Sequence, residues 1–320
     1  MAKRPKKRAA DRGRRRPEKG LPGLEFHDDP ADFLKAARAH LAADPVMSSV
    51  VTTIAERSVR EDRDGAEHDL PHRWWVVVRD ELGEVVGAGM RTAPFAPYPL
   101  FLLPMPSDAA AALAHVLHAR GEHVGGVNGA LPAANVCAGV LAMLQGETAE
   151  VVLRSRLHEA RTVVQPRPAA GQLRLAREDE AGLVLEWFAA FAADAAEQAG
   201  RTEGPVHDLA EDEQGIRRRI AEERLWFWVD EDDTPVHLTG HNLPALGSAR
   251  VGPVFTPREH RGRGYAGNAV ARVTQRILDG GSRACLFTDQ ANPTSNELYA
   301  ALGYEPVVDM VEMGIGPVEP

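Results

Sequence analysis

Residues 254–267, Val-Phe-Thr-Pro-Arg-Glu-His-Arg-Gly-Arg-Gly-Tyr-Ala-Gly, carry the densest chemical signal in the chain. A β-branched and aromatic strand end stops at Pro257, an Arg- and Gly-rich loop follows, and a helical stretch opens at Tyr265. Backbone N–H groups in such a loop are unobstructed by side chains, and a helix N-terminus adds a partial positive charge. Arg261, Gly262, Arg263, Gly264, Tyr265, Ala266 and Gly267 are therefore expected to hold a pyrophosphate. A second constellation lies downstream at Asn292, Asn296 and Tyr299. Their i, i+4, i+7 spacing puts them on one helix face, while Leu298, Ala301 and Leu302 point to a core. His237 and His241 share a strand face, but four residues along a strand is roughly 13 Å, too far for a metal pair. Either could relay a proton or be a hydrogen-bonded structural histidine, and His241, at the strand end, is the better relay.

The loop alone has two readings. Gly262-x-Gly264-x-x-Gly267 satisfies the dinucleotide fingerprint, with Asp289 downstream as a ribose-binding acid. That fingerprint follows its strand almost directly inside a βαβ unit. Here Thr256 to Arg261 intervene, and three strands with hairpin spacing precede the loop: Leu225 to Val229, Val236 to Asn242 and Ala249 to Phe255. After the loop, Tyr265 to Asp279 is a helix stopped by Gly280-Gly281. Ala284 to Thr288 is a short strand. Asn292 and Pro293 then form a helix start, as N-cap and first helical residue.

Arg261-x-x-Gly264-x-Ala266 and the run from Asn292 to Tyr304 together resemble the two motifs of the GNAT superfamily, the acyltransferases that use acetyl-CoA, over about residues 172–316. The resemblance implies a mixed, mostly antiparallel α/β (α+β) sheet flanked by helices, with a bulged strand before the loop. It assigns Val254, Phe255 and Thr256 to the pantetheine and thioester, places Asn292 and Asn296 against the pantetheine, and makes Tyr299 the general acid for the leaving thiolate. The implied activity is acetyl transfer from acetyl-CoA to an amine, with no metal; amino acids, antibiotics, polyamines and protein amines all stay open as acceptors, a small molecule ahead of a protein. Tyr299 could otherwise be a core tyrosine and Arg263 a solvated loop charge.

The architecture occurs twice. Shifted by about 151, Arg73 to Val78 falls on Arg224 to Val229 and Leu103-Pro104-Met105-Pro106 on Val254 to Pro257. A shift of 161 brings Pro132 onto Pro293 and Asn135 onto Asn296. The first copy has Ser107 to Leu113, without Arg or Gly, where the second has its loop, and Ala138 where the second has Tyr299. Three segments follow: a disordered basic tail over 1–22, a degenerate GNAT-like domain over 23–165, and a catalytic domain over 172–320. Gln165 to Gly171 reads as the linker. The acceptor pocket is expected from Glu180 to Ala199, Asp208 to Leu225 and the first copy.

At 320 residues the chain suits two domains. No apolar run is long enough for a membrane span or follows the N-terminal charges as a signal peptide needs, and two cysteines far apart suit a reducing cytoplasm. Residues 1–20 hold ten Lys/Arg and two acids, net +8; the other 300 hold 27 basic and 44 acidic residues, net −17. The tail is the only feature suited to nucleic acid, so such a partner is not expected. The competing functions are an N-acetyltransferase, a non-catalytic CoA sensor whose basic arm binds a polyanion, and a nicotinamide enzyme. Oligomeric state is not readable from these residues.

Overall fold

The computed structural model describes residues 23–65, 70, 72–198 and 212–317; the basic tail and, of the expected acceptor wall, residues 199 and 208–211 lie outside them. The first half runs β1 (Gly23–His27), α1 (Pro30–Ala43), α2 (Ser49–Arg63), β2 (Trp74–Arg79), β3 (Val85–Arg91), β4 (Leu100–Leu102), α3 (Ser107–Ala119), β5 (Gly126–Ala130), α4 (Ala133–Gln145) and β6 (Thr148–Ala160). The second repeats that order: β7 (Gln172–Leu175), α5 (Ala181–Gln198), α6 (Glu213–Ala221), β8 (Leu225–Val229), β9 (Pro235–His241), β10 (Ser248–Phe255), α7 (Tyr265–Asp279), β11 (Arg283–Asp289), α8 (Pro293–Ala301) and β12 (Tyr304–Gly316). Local chemistry repeats as well. Asp80 Oδ1 accepts from Leu82 N and Glu84 N to close the β2–β3 turn, and Asp230 Oδ1 accepts from Asp232 N and Thr234 N to close β8–β9.

All twelve strands form one sheet in the order β1-β2-β3-β4-β5-β12-β6-β11-β10-β9-β8-β7. Most pairs are antiparallel; β4–β5 and β10–β11 are parallel. The halves are joined by exchange of their last strands. β12 lies between β5 and β6, and β6 lies between β12 and β11. The long antiparallel seam runs from Tyr304 against Ala160 to Gly316 against Thr148. An antiparallel seam between equivalent strands implies a pseudo-twofold axis perpendicular to the sheet, so equivalent helices share a face.

On one face, α3 and α4 pack through Leu113, Leu117 and Leu141, and α7 and α8 through Val270, Val273 and Tyr299. On the other, α1 and α2 cover Trp75 and Val77, and α5 and α6 cover Phe227 and Leu238. The α1–α2 connection reaches over the seam, where Val46 and Met47 pack on Leu157, Cys285 and Phe287.

Candidate active site

β10 and β11 pair only from Ser248 against Arg283 to Arg250 against Cys285. Beyond that the strands diverge. β11 continues to Asp289 along β6, and β10 continues to Phe255 along β9 through a register shift between Val251 and Val254. Gly252, at φ +152°, sits inside that shift. A V results, with its apex at Arg250 and Cys285 and its mouth at the loop after Thr256. Val251 to Thr256 covers roughly 17 Å of extended chain.

At the mouth, Gly262 (φ +76°) and Gly264 (φ +81°) are left-handed, a conformation that costs other residues about 1–2 kcal/mol. They turn the chain into α7, whose first backbone bond is Asn268 N to Gly264 O at 3.2 Å. The amides of residues 262–267 find no acceptor among the described residues. Six consecutive donors, three of them the open first turn of a helix, form an anion cradle.

The arginines divide. Arg261 donates to Thr256 O (2.9 Å) and pairs with Asp194 on α5, which Arg258 also engages. Arg261 therefore braces the loop against α5. Arg263 is exposed at the cradle, and its guanidinium donates to Glu259 O at 3.2 Å. Tyr265 is buried with Trp228 and Ala269, anchoring the helix start, and Ala266 is half-buried.

Val254 packs toward the α7–α8 core, Phe255 stands edge-on to Trp187 on the opposite face, and Thr256 Oγ1 bonds His237 Nδ1 at 2.7 Å. Asn292 caps α8 by accepting from Ser295 N, and Asn296 Nδ2 donates to Asp289 O and Asn292 O. Both asparagines thus build the β11–α8 turn at the V's mouth. Tyr299 is 8 % exposed, edge-on to Tyr304 at 5.8 Å, and packs with Val251 and Val254. Its hydroxyl bonds to no described residue, and burial raises its pKa well above the ordinary phenol value.

The histidines lie elsewhere in this frame. His237 is fully buried between Thr256 Oγ1 and Thr239 Oγ1 (2.6 Å), and desolvation drives its pKa down to about 3. It is a neutral structural link under α7. His241 pairs in register with Val251, on the α7 side of the sheet. Its Nδ1 is engaged with Asn242 O, its pKa is lowered by burial, and its ring lines a cavity of about 150 Å³ with Trp226, Val273 and Ile277. That cavity opens between β9 and α7, away from the V.

The segment expected as a linker is instead a packed strap. Val164 N donates to Leu302 O, Asn268 Nδ2 to Arg167 O, and Trp228 Nε1 to Ala170 O. Pro166 lies against Gly267, and Ala169 against Gly264. The signal was there in Pro166 and Pro168, which stiffen an extended chain, and in Gly171, whose Cβ would stand 2.0 Å from Val229 O.

The first half has no V. β4 and β5 stay paired to Leu102 against Gly129, where a Cβ on Gly129 would fall 2.3 Å from Leu102 O. Asp108 accepts from Ala109 N at 2.9 Å, placing a carboxylate at the α3 N-terminus, and Ala138 is buried where α8 has Tyr299. Among the described residues no three His, Cys, Asp or Glu gather as a metal site, and no helix is long and apolar enough to cross a membrane.

Residues 242–311, which contain the V, the cradle and α8, match the model of the FR47-like protein family. Solved structures agree in fold across almost the whole chain. A GCN5-related N-acetyltransferase from Sphaerobacter thermophilus is 17 % identical, covering 93 % of this chain and 98 % of that one, with a TM-score of 0.56. A tandem GNAT protein from the clavulanic acid biosynthesis pathway is 16 % identical over 93 % and 100 %, TM-score 0.52. A GNAT-family acetyltransferase from Colwellia psychrerythraea is 12 % identical over 92 % and 99 %, TM-score 0.51. No curated protein matches the sequence.

Proposed function

We propose that this chain, which carries the GNAT fold twice over, is an N-acetyltransferase that moves an acetyl group from acetyl-CoA to the amine of a small molecule. The observation that carries the reading is the V between β10 and β11, closed at one end by a cradle of six unpaired amides. The cradle suits a diphosphate, and the roughly 17 Å from mouth to apex suits an extended pantetheine arm ending in a thioester. The first half, lacking both features, serves as scaffold: it supplies β6 and sets α2 over the apex.

Acetyl-CoA supplies the activated acyl group. The amides of residues 262–267 and Arg263 would hold its phosphates, and backbone groups of Val254, Phe255 and Thr256 left free by the splay would align the arm. A neutral amine entering from the α2 side forms the C–N bond as the C–S bond breaks, and the amine's proton leaves to water. Tyr299, kept protonated by burial, would donate to the departing sulfur. Arg261 and Asp194 position the loop without contacting the acyl group. Acceptor size follows from the roof: Thr53 on α2 bonds Asn242 Nδ2 at 3.0 Å, so the apex is enclosed by the chain's own first half. Tyr299→Phe should keep acetyl-CoA affinity and lose turnover; full turnover in that variant removes the proton donor from the account.

A further inference from the structure

At the apex of the V, on the face away from Tyr299, Arg250 is a half-buried cation with no partner among the described residues. Ala249 and Val251 point into the α7–α8 core, so Arg250 between them points to the α2 side, as does its register partner Cys285. No carboxylate pairs with its guanidinium among the described residues, and Nη1 is fully buried without a hydrogen bond. Two acids of this region pair with another arginine: Glu159, opposite Cys285 on the next strand, makes a two-pronged bond to Arg283 (2.6 and 2.7 Å), and Asp44 lies 3.6 Å from the same arginine.

The first half adds donors above it. α2 presents Ser49 (1 % exposed) and Thr52 (0 % exposed) one turn apart toward the sheet. Thr52 Oγ1 has no hydrogen-bond partner, and Ser49 lies beside the Cys285 thiol, a weak neighbour. The N-cap residue Ser48 spends its hydroxyl on the carbonyls of Leu41 and Asp44 and does not cap the helix; Ser49 N donates to Val46 O, and the Val50 and Val51 amides find no acceptor among the described residues. A guanidinium nitrogen and a hydroxyl buried without partners are each costly, and an anion lodged between the sheet and α2 would satisfy them.

We infer that Arg250, Thr52 and Ser49 form a carboxylate-binding site, and that the acceptor is an amine that also bears a carboxylate, an amino acid. The inference rests on the acetyl-transfer reading, because the apex is where the acyl group would arrive. Holding the carboxylate on the α2 side leaves the amine of the same small molecule directed at the V. The body's net negative charge disfavours anions at long range, so a local cation is what selects one.

The test uses the full chain, the twenty L-amino acids and their decarboxylated amines. Acetyl-CoA affinity is measured first by calorimetry, then binding of each probe to the CoA-loaded protein and CoA release from acetyl-CoA. At least one amino acid should bind and turn over with a KM at least tenfold below that of its decarboxylated amine. Arg250→Met should raise that KM by tenfold or more, leave acetyl-CoA affinity unchanged and erase the preference over the amine. The same variant should unfold at equal or higher temperature, since it removes a half-buried cation whose Nη1 is buried without a hydrogen bond; Thr52→Val serves as a second, milder change with the same direction in KM. Loss of acetyl-CoA binding in the wild type would sink the acetyl-transfer reading. Intact acetyl-CoA binding with no Arg250-dependent carboxylate binding, or with equal KM for acid and amine, overturns the carboxylate site alone.

Discussion

Replacing Tyr299 by Phe separates a catalytic hydroxyl from a structural one, because the two roles move stability and turnover in different directions. The ring sits in the α7–α8 core against Tyr304, 5.8 Å between centroids, and Phe keeps that contact. The hydroxyl it removes has no described partner at a residue only 8 % exposed. A buried hydroxyl without a hydrogen bond costs about 1–3 kcal/mol, part of which its residual exposure offsets. Tyr299→Phe should therefore be neutral to stabilising by about 1 kcal/mol, a rise in melting temperature of roughly 2–4 °C at most. Turnover should fall by about 100-fold or more, the usual contribution of a placed proton donor. The pH profile adds a sign. The fold keeps this phenol protonated, so its contribution to stability is full below the unfolded value near 10 and declines as pH rises beyond it. The variant should lose less stability than wild type above pH 10. Urea unfolding at pH 7 and above 10, with steady-state CoA release, reads all three. A variant that loses stability at pH 7 while keeping its kcat would refute the reasoning and return Tyr299 to the core.

Gly264→Val should weaken acetyl-CoA binding by tenfold or more. Its Cβ meets nothing nearer than Ala169 Cβ at 3.7 Å, so the strain is in the left-handed backbone, and relief turns the 264 and 265 amides out of the cradle; unchanged affinity by calorimetry contradicts this. Residues 172–317 expressed alone should not be a folded monomer, because removing β6 leaves β11 and β12 with bare edges. Light scattering and circular dichroism check it, and a monomer with native strand content is the contrary result. His237 is neutral when folded, with a pKa of about 3, so stability is full above the unfolded value near 6.5 and falls by up to about 1.4 kcal/mol per unit as pH drops from there toward 3. His237→Gln should show a shallower decline between pH 7 and 5 in urea titrations; parallel slopes count against the assignment.

The repeated element order, the three-strand meander, the cradle and the Asn292 cap were readable because each rests on local chemistry: hairpin spacing, left-handed glycines, an N-cap followed by Pro293. What needed the structure depends on residues far apart in the chain. β6 and β12 pair through backbone groups that carry no partner identity, so their exchange leaves no mark in either strand, and a boundary at 165 to 172 divides the sequence without dividing the sheet. The motif reads Arg261 as a phosphate ligand, whereas the residue it pairs with, Asp194, lies 67 residues away. His241 followed from strand periodicity, which gives a face but not what covers it; α7 covers it. Arg250 read as one residue of a strand, and only α2 arriving from the other half buries its Nη1 without a partner among the described residues.

Calorimetric titration of the full chain with acetyl-CoA tests the central claim most directly. One site per chain, lost on Gly264→Val, is the predicted result. No binding contradicts the assignment of the V and its cradle, and two sites per chain contradict the closure of β4 on β5 in the first half.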